Sequence, residues 1–520
     1  MIFKRRSNHK WCPHSNVQSR LLMKKFYITT TLPYVNSDPH IGFAMEIIRA
    51  DVVARYKSSL GYDVFFNTGT DEHGAKIYEN AVKEGVGVQV YVNGYAEKFR
   101  NLTSILNIGQ VNFIRTTDEK HIRAAQEMWK RCFDSGYIYK KNYQGKYCVG
   151  CELEKTDSEL EDGKCPLHPN RQIEIVDEEN YFFAMSKFQL PLLSFYEKNP
   201  SFVVPDFRYN EIKAFVARGL EDFSISRLKS KMPWGVPVPG DACDEGDEER
   251  HVMYVWFDAL TSYISTLGWP EKGDFEKYWA EEGEPSREVV QYCGKDNLRQ
   301  QSATWQAMLM ASGLPHSTNI VIDGFIISGG QKMSKSLGNV ISPLEVIDMF
   351  KEVTDFPEDV LRFVLLHDIS SFEDGDITLE SIKASYTAHL ANGIGNLTSR
   401  IMKMVENNKE YFDKKNLPIV DMFPIDCDLQ DALDSFDTNS AIKVLMRDLA
   451  SLDARIQNEE AYKVVKENQQ KGLELVLSQL HNLQRVAQSL YPFLPKTSAK
   501  ILECIRENKM PEKPLFNRLS

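Results

Sequence analysis

The chain has no uninterrupted stretch of about 18 apolar residues, the length that a helix needs to cross a bilayer. It also lacks a basic excess, because 73 acidic residues outnumber 62 lysines and arginines and give a net charge of -11. The first absence predicts a soluble protein with no membrane partner. The acidic total gives no sign of the broad basic face of a dedicated nucleic-acid binder, although a large enzyme accommodates a local basic path.

Cysteine is also scarce. Nine cysteines in 520 residues do not make the dense disulfide framework of a small secreted domain, and three of them cluster at Cys148, Cys151 and Cys165. This usage predicts a reducing compartment, the cytoplasm, with one metal site. The length predicts three or four domains, which excludes a single-domain binding module.

The first 23 residues are basic and contain neither an acidic residue nor the apolar core of a secretory signal. They are predicted to be a disordered tail or an overcalled start, with initiation at Met23. An organelle transit peptide is the alternative. No internal repeat or low-complexity tract follows them.

A strand, loop and helix unit comes next. Residues 26–30 are strand-like, and a helical pattern opens at His40. A second strand over 64–66 ends in a polar turn, at the edge where open parallel sheets bind ligands. Further strands over 289–292 and 320–322 predict an α/β fold whose parallel sheet is split in sequence by a long insertion.

The predicted insertion covers residues 138–244. Three prolines between 233 and 239 make a stiff, non-helical return at its end. Beyond residue 379 the strand signals stop, and apolar residues recur at helical spacing. The last third of the chain is therefore predicted to be an α-helical bundle.

The insertion contains the spacing Cys148-x2-Cys151-x13-Cys165-x2-His168. Two short chelating pairs across a loop are what a closed tetrahedral zinc site requires. Four protein ligands leave no position for water, so one structural zinc ion is predicted to fold a segment too small and polar to hold itself. The alternative is a chance spacing of free thiols.

Two short motifs far apart indicate a phosphate-handling site. His40 starts a helix whose positive dipole end supports charge on a phosphate, and Gly42 permits close approach of a nucleotide. In the loop 328–339, Lys332 and Lys335 are spaced to grip pyrophosphate, between glycines that let the loop move. Together they predict the two halves of one ATP site in a nucleotide-activating enzyme. A structural helix-start histidine and a flexible basic loop are the alternatives.

These motifs resemble the HIGH-like and KMSKS motifs of class I aminoacyl-tRNA synthetases, and other segments narrow the resemblance to the methionyl-tRNA synthetases over roughly residues 24–505. The resemblance implies a Rossmann-like catalytic domain, a zinc-binding connective insertion and an α-helical anticodon-binding bundle. It implies a ligase that converts L-methionine and ATP, with Mg²⁺ accompanying ATP, into methionyl-adenylate and then charges tRNA(Met) for translation initiation and elongation. Boundaries are expected as follows: a tail at 1–23, catalytic halves at 24–137 and 245–326, the insertion at 138–244, a KMSKS and stem-contact region at 327–378, and an anticodon-binding domain at 379–520.

The resemblance also implies residue roles by matching position. The expected catalytic residues are His40, Gly42, Lys332 and Lys335, and the ATP site adds Gly294 and Asp296. Asp71 would pair with the ammonium of methionine, in an apolar slot made by Leu32, Tyr34, Trp256, Ala259, Tyr263 and Gln301. The expected anticodon contacts are Asn396 and Arg400, which share one helix face, and Tyr462.

Three residues depart from the family pattern. Phe43 replaces the second histidine of the first motif, Gln301 replaces a histidine that borders the amino-acid slot in many members, and Tyr462 replaces a tryptophan. Phe43 and Gln301 keep open a rival interpretation, a tRNA-binding or scaffold protein without ligase activity. The intact lysine pair and Asp71 favour retained chemistry.

Two rivals lie within the class. A synthetase for leucine, isoleucine or valine would carry a large editing insertion, for which residues 138–244 leave little room. A cysteine-specific relative would need an open zinc position that a four-ligand set lacks. Some methionyl-tRNA synthetases dimerise through an appended C-terminal domain, and its absence before Ser520 predicts a monomer.

Overall fold

The computed structural model describes residues 24–150, 153–155, 159–240, 250–280, 287–333, 339–415 and 426–519. The predicted tail, residues 1–23, lies outside the described residues, as do Cys151 and Lys335. The strands are β1 (Lys25–Thr29), β2 (Asp63–Thr70), β3 (Asn112–Arg115), β4 (Ile138–Cys148), β5 (Leu153–Lys155), β6 (Glu174–Phe183), β7 (Val203–Val204), β8 (Phe223–Ser224), β9 (Ser226–Leu228), β10 (His251–Met253), β11 (Arg287–Gly294), β12 (Asn319–Asp323), β13 (Ile326–Ser328), β14 (Gln331–Lys332) and β15 (Gly375–Asp376).

The α-helices are α1 (Ile41–Ser59), α2 (Ala75–Glu84), α3 (Val88–Ile105), α4 (Glu119–Asp134), α5 (Gln189–Lys198), α6 (Asp206–Ala217), α7 (Val255–Ala259), α8 (Ser262–Ser265), α9 (Trp305–Ser312), α10 (Pro343–Phe350), α11 (Pro357–His367), α12 (Leu379–Ser385), α13 (Asn396–Glu406), α14 (Lys409–Asp413), α15 (Cys427–Asp434), α16 (Thr438–Glu459), α17 (Ala461–Glu467), α18 (Gln469–Leu490) and α19 (Pro495–Glu507). π-helical segments occupy Glu276–Ala280, Gln300–Thr304 and Tyr386–Gly395.

A six-stranded parallel sheet organises the first two thirds of the chain. Its strand order is β3-β2-β1-β11-β12-β7. β1 pairs with β2 on one side and β11 on the other, so the order of strand addition reverses there. Such a reversal opens a crevice at the carboxyl ends of the strands, where doubly wound folds bind ligands. The four predicted strands are confirmed, and with them the α/β, Rossmann-like fold class.

β1 is buried on both faces, as a parallel strand covered by helices must be. Phe26 and Ile28 belong to the hydrophobic core on the α1 side of the sheet. Tyr27, which points the other way because side chains alternate along a strand, enters the second core, with its ring 5.7 Å from that of Trp279. The sheet therefore separates two apolar layers.

The predicted insertion forms an antiparallel sheet with the order β5-β4-β6-β8. It also returns one strand to the main sheet, because β7 pairs with β12 at Ile320 and Val321 and becomes the sixth parallel strand. The proline-rich segment 233–239 contains no helix, as predicted. Residues within the insertion thus complete the main sheet, and the boundaries at 138 and 244 stay predictions.

From Leu379 onwards every regular element that the structure describes is helical, which confirms the predicted bundle. The apolar residues predicted at helical spacing in α16, such as Ile442, Leu449 and Ile456, are buried. None of the described helices is both long and apolar enough to cross a bilayer.

α1 connects the ligand-binding edge of the sheet with the bundle. It starts after His40 and spans 19 residues, or roughly 28 Å. Near its other end the hydroxyl of Tyr56 donates to Oδ1 of Asp434 at 3.0 Å. Midway, Nη1 of Arg362 lies 2.8 Å from Oδ2 of Asp51, and both side chains are fully buried. A paired, buried charge therefore joins α1 to α11.

Candidate functional site

A cavity of about 530 Å³ opens at the carboxyl ends of β1, β2, β11 and β12. Its volume is in the range of small-molecule sites, and it lies where the strand order reverses. The predicted site residues that line it are Leu32, Tyr34, His40, Gly42, Asp71, Trp256, Ala259, Tyr263, Gly294, Asp296 and Gln301. The structure thus brings the predicted methionine slot and part of the predicted ATP site around one space.

Asp71 follows β2 directly and is held against the segment that follows β1. Its N–H donates to the carbonyl oxygen of Pro33 at 3.0 Å, and its own carbonyl accepts from the N–H of Val35 at 3.1 Å. These bonds bracket Tyr34, which forms an isolated parallel bridge with Asp71. A buried carboxylate beside the apolar side chain of Leu32 is suited to a ligand with one cationic group and an apolar tail.

His40 caps the N-terminus of α1. Its Nδ1 accepts from the N–H of Gly42 at 3.1 Å, so the ring proton of the neutral imidazole sits on Nε2 and is free to be donated. Loss of water around the ring lowers the pKa of His40, against the opposing charge of Asp296. A Cβ at position 42 would lie 3.0 Å from Cε1 and Nδ1 of the ring. A side chain at position 42 would therefore push the capping imidazole out of its place by a few tenths of an ångström.

Asp258 ties two walls of the cavity together. It is fully buried, with Oδ2 2.6 Å from Nδ1 of His73 and Oδ1 2.7 Å from Nε2 of His121. Burial alone would raise the pKa of Asp258, but the two imidazoles outweigh it and bring the pKa to about 2. His73 is two residues from Asp71, and Asp258 is two residues from Trp256. The sequence alone did not predict this network.

Gln301 lies in the π-helical turn Gln300–Thr304, a kind of irregularity that is frequent at functional sites. Its Nε2 donates to the hydroxyl of Tyr263, and its Oε1 accepts from Nε2 of Gln291 at 2.8 Å. Burial raises the pKa of Tyr263 well above its usual range, so the hydroxyl keeps its proton. Gln301 therefore borders the slot as predicted, through Tyr263.

Two further carboxylates line the cavity. Oε1 of Glu46 accepts from the N–H of Thr31 at 2.6 Å, and burial followed by the charges of Asp323 and Asp296 raises the pKa of Glu46 well above its usual range. Asp323 lies 3.0 Å from Nη1 of Arg49, yet burial still raises its pKa to about 6. Neither was predicted, although Asp323 follows a predicted strand at the ligand-binding edge, which was a usable signal.

The loop with the two lysines is described only at its base. Lys332 ends β14, which pairs antiparallel with β13, and the methionine after it lines the cavity. The two carboxylate oxygens of Asp376 accept from the N–H groups of Gly329 and Gly330, at 2.8 and 2.9 Å. The side chain of Lys332 and the whole of Lys335 lie outside the described residues, so their roles stay predictions.

Three of the four predicted zinc ligands meet in the insertion. The ligand atoms of Cys148, Cys165 and His168 lie within 4.8 Å of one another, and Cys151 is outside the described residues. Nδ1 of His168 is 3.8 Å from Sγ of Cys148 and 4.0 Å from Sγ of Cys165, close to the roughly 3.5 Å that tetrahedral zinc bonds imply. A Cβ on Gly150 would lie 2.4 Å from Cγ of His168. The cluster could hold a metal ion.

Comparisons with known proteins decide the family. The sequence model described as tRNA synthetases class I (M) matches residues 26–175 and 159–402. The methionine–tRNA ligase of Thermotoga maritima is 37% identical over 507 residues, which cover 94% of this chain and 76% of that protein. The chain belongs to the class I methionyl-tRNA synthetases. The family resemblance predicted from the motifs is confirmed.

Other methionyl-tRNA synthetases match to the same extent. The methionine–tRNA ligase of Brucella suis is 36% identical over 496 residues, covering 93% of this chain and 92% of that protein. The structure of Mycobacterium tuberculosis methionyl-tRNA synthetase in complex with methionyl-adenylate superposes with a TM-score of 0.81 at 30% identity, covering 92% of this chain and 94% of that chain. The likeness therefore extends over both the sheet and the helical bundle.

The residues expected to read an anticodon in a methionyl-tRNA synthetase lie in that bundle. Asn396 is exposed at the start of α13, and one turn later Arg400 forms an ion pair with Asp453 of α16. α16 leads through Glu460 into α17, where Tyr462 keeps 50% of its surface exposed. An exposed ring of this kind is suited to stacking on an unstacked base.

Proposed function

We propose that this chain is a methionine–tRNA ligase that charges tRNA(Met) for initiation and elongation. A carboxylate oxygen of methionine attacks the α-phosphorus of ATP, and the bond to the β-phosphate breaks to release pyrophosphate. A terminal ribose hydroxyl of tRNA then attacks the carbonyl carbon of methionyl-adenylate, loses its proton and displaces AMP. One observation carries the proposal: the apolar slot and the polar nucleotide wall share a single cavity.

The slot supports methionine as the amino acid. The ammonium would pair with the buried carboxylate of Asp71, which lines the cavity. The thioether side chain would lie among the apolar and aromatic groups of Leu32, Tyr34, Trp256, Ala259 and Tyr263, with Gln301 behind them.

The opposite wall supports ATP binding. His40 would donate its Nε2–H to a phosphate oxygen from the positive end of α1. Gly42 lets that ring fold back onto the helix, and Gly294 and Asp296 would contact the nucleoside. Lys332 and Lys335 would neutralise the pyrophosphate as charge develops on it. ATP is expected to enter as its Mg²⁺ complex, which spreads the remaining phosphate charge.

We assign zinc to the cluster in the insertion. Cys148, Cys165 and His168 supply two sulfurs and one nitrogen, the donor set that zinc prefers, and Cys151 would be the fourth ligand. A closed set of four supplies a structural cross-link and no reaction chemistry. Reduced cysteines in such a site support a cytoplasmic location.

The bundle supports tRNA recognition. Tyr462 would stack on an anticodon base, while Asn396 and Arg400 would form hydrogen bonds to base edges. Arg400 is already held by Asp453, so binding would exchange one partner for another.

The rival function is a tRNA-binding scaffold without ligase activity, motivated by Phe43 and Gln301. Phe43 is 8% exposed and packs edge-on against Phe99 at 5.1 Å, so it has become part of the hydrophobic core. Gln301 lines the cavity and is held by hydrogen bonds to Gln291 and Tyr263. Neither substitution fills the cavity, which favours the ligase.

The discriminating measurement is methionine-dependent exchange of labelled pyrophosphate into ATP, made with zinc-loaded, well-folded protein. The ligase should show exchange with methionine. No exchange would leave the scaffold as the better interpretation, and exchange driven by leucine or cysteine would overturn the choice of substrate.

A further inference from the structure

Behind the slot, a chain of buried polar side chains leads to Tyr263. Nε2 of Gln306 lies 3.2 Å from Oγ of Ser317, which in turn contacts Oε1 of Gln291. Nε2 of Gln291 lies 2.8 Å from Oε1 of Gln301, and Nε2 of Gln301 contacts the hydroxyl of Tyr263. All five side chains are at most 4% exposed. Four hydrogen bonds therefore connect α9 to the cavity wall, and they run through side chains that are shielded from water.

One main-chain carbonyl fixes the donor-to-acceptor direction of this series of hydrogen bonds. The side-chain atom of Gln306 that faces Ser317 also lies 3.0 Å from the carbonyl oxygen of Gln301. A carbonyl only accepts, so this atom is the amide nitrogen, and it donates one proton to each partner. At its other end, Oε1 of Gln306 faces Nδ1 of His316 at 3.2 Å and accepts from it.

The remaining orientations follow in order. Because Ser317 accepts from Gln306, its own hydroxyl proton is donated to Gln291, whose facing atom is the amide oxygen. The nitrogen of Gln291 then donates to the oxygen of Gln301, and the nitrogen of Gln301 donates to Tyr263. Every donor in the chain points toward the cavity, and bonds aligned in this way strengthen one another.

We propose that this one-way relay, made of Gln306, Ser317, Gln291 and Gln301, holds the Tyr263 hydroxyl as a donor into the cavity, and that the first three are positioning residues for amino-acid selection. The Tyr263 oxygen already accepts from Gln301, so its proton is directed at the ligand. A thioether sulfur has lone pairs that accept a weak hydrogen bond, whereas a methylene has none. The inference rests on the proposed function, since it takes methionine as the amino acid.

The relay predicts selection of methionine over norleucine, which has the same length but no sulfur. Ser317→Ala removes the donor that orients Gln291, so both glutamine amides can turn and Tyr263 can donate back to Gln301. The ratio of kcat/KM for methionine to kcat/KM for norleucine, in pyrophosphate exchange, should fall about three- to tenfold. Gln291→Leu breaks the relay one link later and should lower the ratio in the same way.

Ser312→Ala is the matched control. It is the same substitution, nearby in α9, at a buried hydroxyl that bonds the main-chain oxygens of Met308 and Leu309 at 2.8 and 3.1 Å. Its selectivity ratio should equal that of the wild type. Ser317→Thr keeps the hydroxyl and should retain most of the ratio.

A double-mutant cycle separates positioning from general damage. In a Tyr263→Phe background the donor is gone, so adding Ser317→Ala should not change the ratio further. Equal losses for both amino acids in Ser317→Ala, or an undiminished effect in the Tyr263→Phe background, would overturn the relay. A wild-type protein that exchanges with neither amino acid would instead overturn the proposed function.

Discussion

At the scale of single residues, Asp258 helps to fix the shape of the cavity although it does not line the cavity itself. It sits between His73 and His121, and each of its oxygens accepts from one imidazole. The ring of His73 also lies 5.5 Å from that of Trp234, whose Nε1 donates to the carbonyl of Glu72 at 2.6 Å. The segment that carries Asp71 is therefore held on both sides.

Asp258→Asn is expected to lower the free energy of unfolding at pH 7 by about 2 kcal/mol. The folded chain depresses the pKa of Asp258 from 3.8 to about 2, so its carboxylate stabilises the fold above the unfolded pKa. That contribution is lost as the pH falls from about 4 to about 2. Urea unfolding at pH 7 should thus separate wild type from variant, and the difference should shrink below pH 4.

Asp355→Asn provides the control for this prediction. Asp355 pairs with Lys513 at 2.8 Å, but 57% of its side chain is exposed, and surface pairs contribute little. Its unfolding curve should match that of the wild type at both pH values. Equal destabilisation by the two substitutions would contradict a special role for Asp258.

The limits of sequence-based prediction are visible in these residues. Asp71 and Gly294 were predicted from their match to the family's motifs, and in the structure Asp71 directly follows β2 and Gly294 ends β11. His73 comes from the loop after β2, His121 from α4 and Asp258 from α7, and no periodic pattern in the sequence links three such residues. Only the folded structure shows that these three side chains are in contact.

At the scale of elements, the metal cluster and the cavity are physically continuous. Gly150 lines the cavity, and it lies so close to His168 that a Cβ added to it would be 2.4 Å from Cγ of the ring. A loosened metal site would consequently disturb one cavity wall as well as the insertion. The spacing of the four ligands predicted the cluster, but it did not predict that the cavity lies beside it.

Cys165→Ser should therefore release zinc and open the insertion to protease, and it should also weaken pyrophosphate exchange. Metal content by mass spectrometry and limited proteolysis give the two structural readouts. Cys504→Ser changes a buried cysteine in α19, away from the cluster, and should keep one zinc ion per chain. Full zinc content in Cys165→Ser would refute the proposed ligand set.

Element boundaries were predictable to different degrees. β1 and β12 were predicted to within about one residue, because apolar residues fill them. β2 continues to Thr70, into residues whose polar composition predicted a turn. β7 has two residues, too few for any periodic pattern, so its addition to the main sheet was not predictable.

At the scale of the whole molecule, buried polar contacts connect the sheet with the bundle. Ser371 donates to Oδ1 of Asp437 at 2.7 Å, and its oxygen accepts from the N–H of Asn439 at 3.0 Å, at the start of α16. The carbonyl of Ser371 in turn accepts from Arg49 of α1 at 3.0 Å. The two parts of the chain are therefore held in a fixed relation near the cavity.

Tyr462→Ala should raise the apparent KM for tRNA about tenfold, because one base would lose its stacking surface. Methionine-dependent pyrophosphate exchange takes place without tRNA and should stay at the wild-type rate. Tyr462→Phe keeps the ring and should behave like the wild type in both assays. A loss of exchange in Tyr462→Ala would show that the residue acts through the fold rather than on tRNA.

The pairing of β1 with β11 also affects how the protein folds during its synthesis on the ribosome. It joins Tyr27 to Val289, roughly 260 residues later. A ribosome that adds about 5–20 residues per second delivers β11 roughly 13–50 s after β1. Throughout that interval the edge of β1 that will meet β11 has no native partner, and exposed strand edges invite aggregation. Each newly made chain thus passes through a vulnerable period whose length is set by all the residues between the two strands, of which the predicted insertion is one part.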